Sequence, residues 1–258
     1  IGRYRVARRL GAGGMGSVYE ARDPDLDRPV ALKLVRADLS ERARQRMQRE
    51  ALALARLSHP HVVQIHEIGQ ASGRTFIAME LVRGQTLAQW QAAPHEWREC
   101  VAVYLQAGRG LAAAHARGLV HRDFKPSNCI LDQTGHVRVL DFGLAQRIES
   151  SVMHEARASR ASFEAFPSTG ARIGQQTRER GAPGTLGYMP LEQLWGQPLD
   201  AKSDQFSFCV SLFESIYGRR PFSGESVDAM VFAMLDGAID WPPGPSPVPP
   251  RPRTPSIS

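Results

Sequence analysis

The segment from His121 to Gly143 constrains this 258-residue chain more than any other. It opens with His121-Arg122-Asp123-Phe124-Lys125-Pro126-Ser127-Asn128. It continues through the apolar pair Ile130-Leu131 and a predicted short strand, Val137-Arg138-Val139-Leu140, and closes on Asp141-Phe142-Gly143. Taken singly, each polar residue reads as a turn residue. Together they set two carboxylates, a carboxamide and an ammonium on a short stretch of loop and strand. Phosphoryl transfer needs those types: a carboxylate to orient an attacking hydroxyl, oxygen ligands for a divalent ion, and cations against phosphate.

A second constellation lies near the start. Gly11-Ala12-Gly13-Gly14-Met15-Gly16-Ser17-Val18 fits G-x-G-x-x-G-x-V. Glycines let backbone N–H groups fold over phosphates. The loop lies between two strand-like runs, whereas a dinucleotide fingerprint opens a helix. The following strand carries Val30-Ala31-Leu32-Lys33, and Glu50 on the next predicted helix is placed to pair with Lys33. A lone strand lysine is ordinarily a solvated charge, and a lone helical glutamate likewise. Basic usage argues otherwise for Lys33: Lys33, Lys125 and Lys202 are the only lysines, and every other cationic side chain of this type is arginine. Lysine is a compact point charge and arginine a planar fork, so two motif lysines in an arginine-writing chain mark positions where the fork does not serve.

Alternation of apolar and polar residues over 4–35 predicts twisted strands. Residues 40–57 read as a helix with Ser40 as N-cap and Met47, Leu52, Leu54 and Leu57 as its apolar face. Val62–Ile68 and Thr75–Val82 read as strands, and 97–117 and 203–217 as helices. Residues 146–184 are polar and aperiodic, a long loop with strong motifs on both sides. From Trp241 the composition turns to proline, which predicts a disordered or polyproline tail over 241–258. Charged residues make up 22% and hydrophobic ones 42%, which is ordinary globular usage. The net charge of +6 comes from scattered arginines without a nucleic-acid motif, so no nucleic-acid partner is expected. No run is long and apolar enough to span a bilayer. Three well-separated cysteines, Cys100, Cys129 and Cys209, suggest a reducing compartment without disulfides or zinc. The expected location is cytoplasmic, with membrane tethering of a longer parent left open.

These motifs resemble those of eukaryotic-type protein kinases, and most of all the bacterial serine/threonine kinases. The resemblance implies an α+β, two-lobed fold over residues 4–240. A small antiparallel-sheet lobe would span about 4–79, and a mainly helical lobe about 83–240, with 146–184 as a long activation loop. It implies ATP and Mg2+ as cofactors and protein substrates as partners, with a homodimer serving autophosphorylation. Asp123 would be the catalytic base and Lys125 would neutralise the transferred phosphoryl group. Lys33 would hold the α- and β-phosphates and pair with Glu50, and Asn128 and Asp141 would bind Mg2+. The Gly11–Gly16 loop, including Ala12, Gly13, Gly14 and Met15, would cover the phosphates. Leu10, Val18, Ala31 and Ile130 would sandwich adenine, with Met79 as gatekeeper and the backbones of Glu80 and Val82 meeting its edge.

In the same family Arg122 receives an activation-loop phosphate, for which Thr177 is the favoured position. Thr185 and Lys125 point to serine/threonine rather than tyrosine specificity. His121 would be a packed structural residue, and Asp204 would accept backbone hydrogen bonds from the loop around it. The chain departs from the family at Pro190-Leu191-Glu192, where Ala-Pro-Glu is usual, in its long loop, and in a C-terminal part without recognisable helices. The last point predicts a truncated helical lobe in which Glu192 is exposed or lacks its partner. A nucleotide-binding pseudokinase and a small-molecule phosphotransferase are the rival readings. The first would be favoured by loss of Lys33, Asp123 or Asp141, all of which are present. The second lacks a segment like Gly184-Thr185…Tyr188…Glu192.

Overall fold

The computed structural model describes residues 1–13, 16–35, 41–142, 186–224 and 226–249. Gly14, Met15, Ser40, Gly143, Thr177, Thr185 and the whole 146–184 loop lie outside the described residues.

The first lobe is a five-stranded antiparallel sheet in the order β1-β2-β3-β5-β4. Its strands are β1 (Arg5–Gly13), β2 (Gly16–Asp23), β3 (Arg28–Val35), β4 (Ile65–Ala71) and β5 (Arg74–Glu80), with helix α1 (Glu41–Ala55) between β3 and β4. The pleat explains why β3 reads as one apolar run. Val30, Leu32 and Leu34 point to one face, where they join Tyr4, Ala21, Phe76 and Ala78 in a small core. Ala31 and Val35 point to the other, where they join Ile77, Met79, Met47 and Leu54 in the main core. A strand buried on both faces has no polar alternation to show. Lys33 lies on the second face and is 7% exposed, so its ammonium is held inside the molecule.

Helix α1 buries Met47, Ala51 and Leu54, a 3.6-residue stripe, with Leu57 just beyond its end. Leu52, expected on that face, is 54% exposed. It follows the buried Ala51 directly, and consecutive residues point about 100° apart around a helix.

The second lobe begins with β6 (Gly84–Thr86) and α2 (Leu87–Trp90), followed by the long helix α3 (Trp97–His115). A capping box between Thr86 and Gln89 starts α2. A 3-10 turn over Pro126–Asn128 leads into β7 (Cys129–Asp132) and β8 (Val137–Val139), which complete a three-stranded sheet with β6. Val139 is tied to the segment between α1 and β4 by an isolated bridge: its N–H donates to the His61 carbonyl, and its carbonyl accepts from Val63 N–H, both at 3.0 Å. Gly110 of α3 lets that segment lie close, since a Cβ there would stand 2.5 Å from the His61 carbonyl oxygen. The end of β8 is thereby fixed against both lobes, two residues before Asp141.

Helices α4 (Leu191–Leu194), α5 (Ala201–Tyr217) and α6 (Val227–Leu235) follow. Asp200 and Ser203 form a capping box at the start of α5, and Gly218 closes it in the left-handed region at φ 71°. The buried stripe of α5 is mostly small and polar, Ser203, Asp204, Ser207 and Ser211, with Val210 as its apolar member. Residues 241–249 carry no helix or strand. Trp241 packs on the end of α5, with ring centroids 5.3 Å from Phe213 and 5.6 Å from Tyr217. Glu192 has a partner the sequence did not suggest. It is partly exposed, and the Ser203 hydroxyl donates to its Oε1 at 2.7 Å. Among the described residues no helix is long and apolar enough to cross a membrane.

Candidate active site

The site is assembled around one strained residue. Arg122 is not glycine, yet its φ is 66°. Non-glycine residues held in the left-handed region cost about 1–3 kcal/mol and persist only where their surroundings over-determine them. The hydrogen bonds of the neighbouring peptides supply that constraint. The Asp204 carboxylate, 1% exposed on α5, accepts from Arg122 N–H at Oδ1 and from His121 N–H at Oδ2, both at 2.7 Å. His115, at the end of α3, places its Nε2 2.7 Å from the same Oδ2. A buried carboxylate is costly unless its oxygens are used, and here both are.

His121 is fully buried. Its Nε2 lies 2.7 Å from the Leu140 carbonyl, and its Nδ1 lies 3.3 Å from Asp123 N–H. Only the neutral Nε2–H tautomer satisfies both, donating on one side and accepting on the other. Burial lowers the His121 pKa, against the opposing pull of Asp204 and Asp123. The ring therefore braces the loop neutrally, as expected of a structural residue. It also stacks at a tilt on Phe142, with centroids 4.7 Å apart.

This gives a pH prediction with a definite sign. A histidine whose folded pKa is lowered lets the unfolded chain take up the proton first, so stability is lost as pH falls below about 6.5, at up to about 1.4 kcal/mol per pH unit. His59 and His66 are shifted the same way by burial. The melting temperature should fall from pH 7 to pH 5, and His121→Phe should show a shallower fall while melting lower throughout. An unchanged slope in the variant contradicts the neutral-brace assignment.

Downstream, Asp123 and its neighbours converge. Lys125 Nζ lies 3.2 Å from Asp123 Oδ1 and 3.0 Å from Oδ2. Asn128 Nδ2 donates to the Asp123 carbonyl at 2.7 Å and to Oδ2 at 3.1 Å. Leu140 N–H donates to the Asn128 carbonyl at 2.8 Å, which sets Asp141 beside Asn128 in the chain path. Asp141 is itself in the left-handed region, at φ 51°, and its Oδ1 lies 2.6 Å from Lys33 Nζ. Lys33 reaches it from β3 across the gap between the lobes. Glu50 of α1 meets Arg122, whose Nη1 lies 3.3 Å from Oε1 and 3.4 Å from Oε2. Lys33 and Glu50, expected to pair, thus belong to a wider network in which Lys33 holds Asp141 and Glu50 holds Arg122.

The apolar residues expected around adenine share one sheet face by register. Val18 is opposite Lys33, and Ala31 is opposite Met79. Ile130 lies across the gap, on β7 opposite Thr86. Ala31 and Met79 are buried, Val18, Glu80, Val82 and Ile130 half-buried, and Leu10 is 42% exposed on β1. Behind Met79, the residues Leu54, Val63, Ile65, Ile77 and Phe142 enclose a small cavity floored by Lys33 and Asp141.

The glycines sort into two kinds. Gly16, at φ 139°, must be glycine, because a Cβ would stand 2.1 Å from the Leu34 carbonyl oxygen. Gly11 and Gly13 face open space. Their bare backbone leaves room for a ligand rather than for a packing neighbour. Among the described residues no group of three or more acidic, histidine or cysteine side chains could hold a metal. The Asp141–Asn128 pair suits an ion that keeps most of its ligands as water and substrate phosphate.

Two positions escaped the sequence reading. His115 ends α3 at ordinary helical spacing, and only its distance to Asp204 marks it. Gln193 follows Glu192 and is 8% exposed, with its Nε2 donating to the Arg122 carbonyl at 2.9 Å.

Comparison with known proteins agrees with this layout. Residues 4–242 match the model of the protein kinase domain family. The chain is 34% identical over 250 residues to the serine/threonine-protein kinase PknD of Mycobacterium tuberculosis, covering 95% of this chain and 34% of that protein. It is 34% identical over 238 residues to PrkC of Bacillus subtilis, covering 91% of this chain and 33% of the relative. It therefore spans about a third of the length of these curated relatives. A crystal structure of the M. tuberculosis PknI kinase domain superposes with a TM-score of 0.63 at 28% identity, over 87% of this chain and 76% of that one. With a buried lysine meeting Asp141 across the gap between a sheet lobe and a helical lobe, and a family match spanning nearly the whole chain, this protein belongs to the protein kinase family.

Proposed function

We propose that the chain transfers the γ-phosphoryl group of ATP, with Mg2+, to serine or threonine hydroxyls of protein substrates. The observation that carries this reading is the cluster of Asp123, Lys125, Asn128 and Asp141 on a loop pinned by Asp204, with Lys33 meeting it from β3. Asp123 orients the acceptor hydroxyl and receives its proton. Lys125, within 3.2 Å of that carboxylate, lies where an ammonium faces both Asp123 and an incoming phosphoryl group. Lys33 releases Asp141 and takes the α- and β-phosphates once nucleotide enters, with Glu50 as its partner. Asp141 and the Asn128 carboxamide oxygen hold the ion, which supplies positive charge against the phosphate oxygens. The glycine loop from Gly11 to Gly16 covers the phosphates, and Leu10, Val18, Ala31, Met79 and Ile130 enclose adenine, whose edge meets the Glu80 and Val82 backbones. Incubating the wild-type chain with labelled ATP, Mg2+ and a generic protein substrate tests the reading through phosphoserine and phosphothreonine in the product.

Regulation follows from Arg122. In this structure its guanidinium is engaged by Glu50. A phosphothreonine carries about two negative charges and three acceptor oxygens, and competes well for an arginine. We place that phosphate at Thr177, added by a second copy of the chain in trans, with Glu50 then released toward Lys33. Mass spectrometry after incubation with ATP should find Thr177 modified as activity rises, and Thr177→Ala should stay at the basal rate. A rise in activity with Thr177 unmodified contradicts the assignment.

A further inference from the structure

Residue 122 is held at both of its peptide groups, and the second hold comes from helix α4. Asp204 takes the Arg122 N–H; Gln193 supplies a donor to the Arg122 carbonyl. That carbonyl belongs to the peptide plane joining Arg122 to Asp123. The N–H of the same plane points to His121 Nδ1, 3.3 Å away. The strained φ of 66° belongs to the 121–122 peptide, whose N–H Asp204 holds; the 122–123 plane turns instead about ψ of Arg122 and φ of Asp123. Rotating the 122–123 plane would swing the carbonyl from Gln193 and the N–H from His121 together. It would also redirect the Cα–Cβ bond of Asp123. The hydrogen bond from Gln193 opposes that rotation on one edge of the plane, as His121 does on the other.

We infer that Gln193 is a positioning residue: by holding the carbonyl of the 122–123 peptide it fixes the direction in which the Asp123 carboxylate is presented. This rests on the reading of Asp123 as the group that receives the acceptor's proton. Gln193 touches no reacting atom. Its buried side chain on the four-residue helix α4 makes the orientation of Asp123 depend on where α4 sits.

The chain is compared with Gln193→Met, which keeps the length of the side chain without a donor, and with Gln193→Glu, which keeps its shape. Near neutral pH the ionised carboxylate introduced by Gln193→Glu offers the Arg122 carbonyl no hydrogen. Initial rates over a range of ATP concentrations are measured beside thermal melts. A misdirected carboxylate lowers kcat about ten- to a hundredfold. KM for ATP should stay within about twofold, because the lost interaction matters in the transition state and not in nucleotide binding. Both variants should remain folded at the assay temperature. If Gln193→Met melts below that temperature, Gln193→Glu carries the comparison. Wild-type kcat in a folded variant overturns the inference, as does a fall in kcat that tracks an equal rise in KM for ATP. A wild-type chain that transfers no phosphate overturns the reading of Asp123 itself, and this inference with it.

Discussion

Replacing Asp123 by Asn should abolish measurable phosphoryl transfer while the chain still folds and still binds nucleotide. Asp123→Asn keeps the shape of the side chain and its place beside Lys125 and Asn128, but removes the charge and the basicity that receive a hydroxyl proton. A positioned general base contributes typically about 10²–10⁴ in rate, and the ion pair with Lys125 is lost as well. Lys33→Met should fail equally, by removing the ammonium that meets Asp141 at 2.6 Å. Lys33→Arg should also fail. Lys33 is 7% exposed on a strand packed on both faces, and a planar fork does not fit where a point charge does. Wild-type rates in Lys33→Arg would contradict the account of that position.

The second large effect is expected at Asp204. Asp204→Ala removes the acceptor for two backbone N–H groups and the partner of His115. Each buried donor left unsatisfied costs about 1–3 kcal/mol, so the melting temperature should drop by about 10 °C or more. Activity should fall further than stability does, because Arg122 loses one of the contacts that hold its left-handed backbone. Asp204→Asn keeps one acceptor oxygen but turns an NH2 toward a backbone donor, so it should rescue little. A variant with near wild-type activity and melting temperature would show that the loop is not held from α5.

The proposed site residues stand out in the sequence because most of them crowd into two short stretches whose spacing survives without knowledge of the fold. The stretch from His121 to Asp141 and the Val30–Lys33 part of β3 each announce themselves by their own neighbours, and Lys33 Nζ lies 2.6 Å from Asp141 Oδ1. The sheet lobe was legible for a similar reason: alternation about glycines marks strands, and the two-sided burial of β3 explains why Lys33 sits in an apolar run.

Contacts to the backbone over long sequence distances were less legible. Gln193 serves a carbonyl 71 residues away, and nothing in its own neighbourhood announces an acceptor. His115 finds Asp204 89 residues on. Glu50 was read as a partner for Lys33, and its contact with Arg122 could not be anticipated, because the reach of an arginine depends on the strained turn that aims it. Glu192 is half-buried and, among the described residues, takes a hydrogen bond from the Ser203 hydroxyl of α5; nothing in the sequence around Ser203 signals that use. Leu52 was assigned inward from its type alone, whereas the stripe that passes through Met47, Ala51 and Leu54 leaves it outside.

The central claim is that the Asp123 cluster performs phosphoryl transfer to protein hydroxyls. The most direct measurement is transfer of label from γ-labelled ATP, with Mg2+, to a generic protein substrate, comparing the wild-type chain with Asp123→Asn in one preparation. The account predicts labelled phosphoserine or phosphothreonine with the wild-type chain and none above background with the variant. Equal labelling by both chains, or none by a folded, nucleotide-binding wild-type chain, would contradict it.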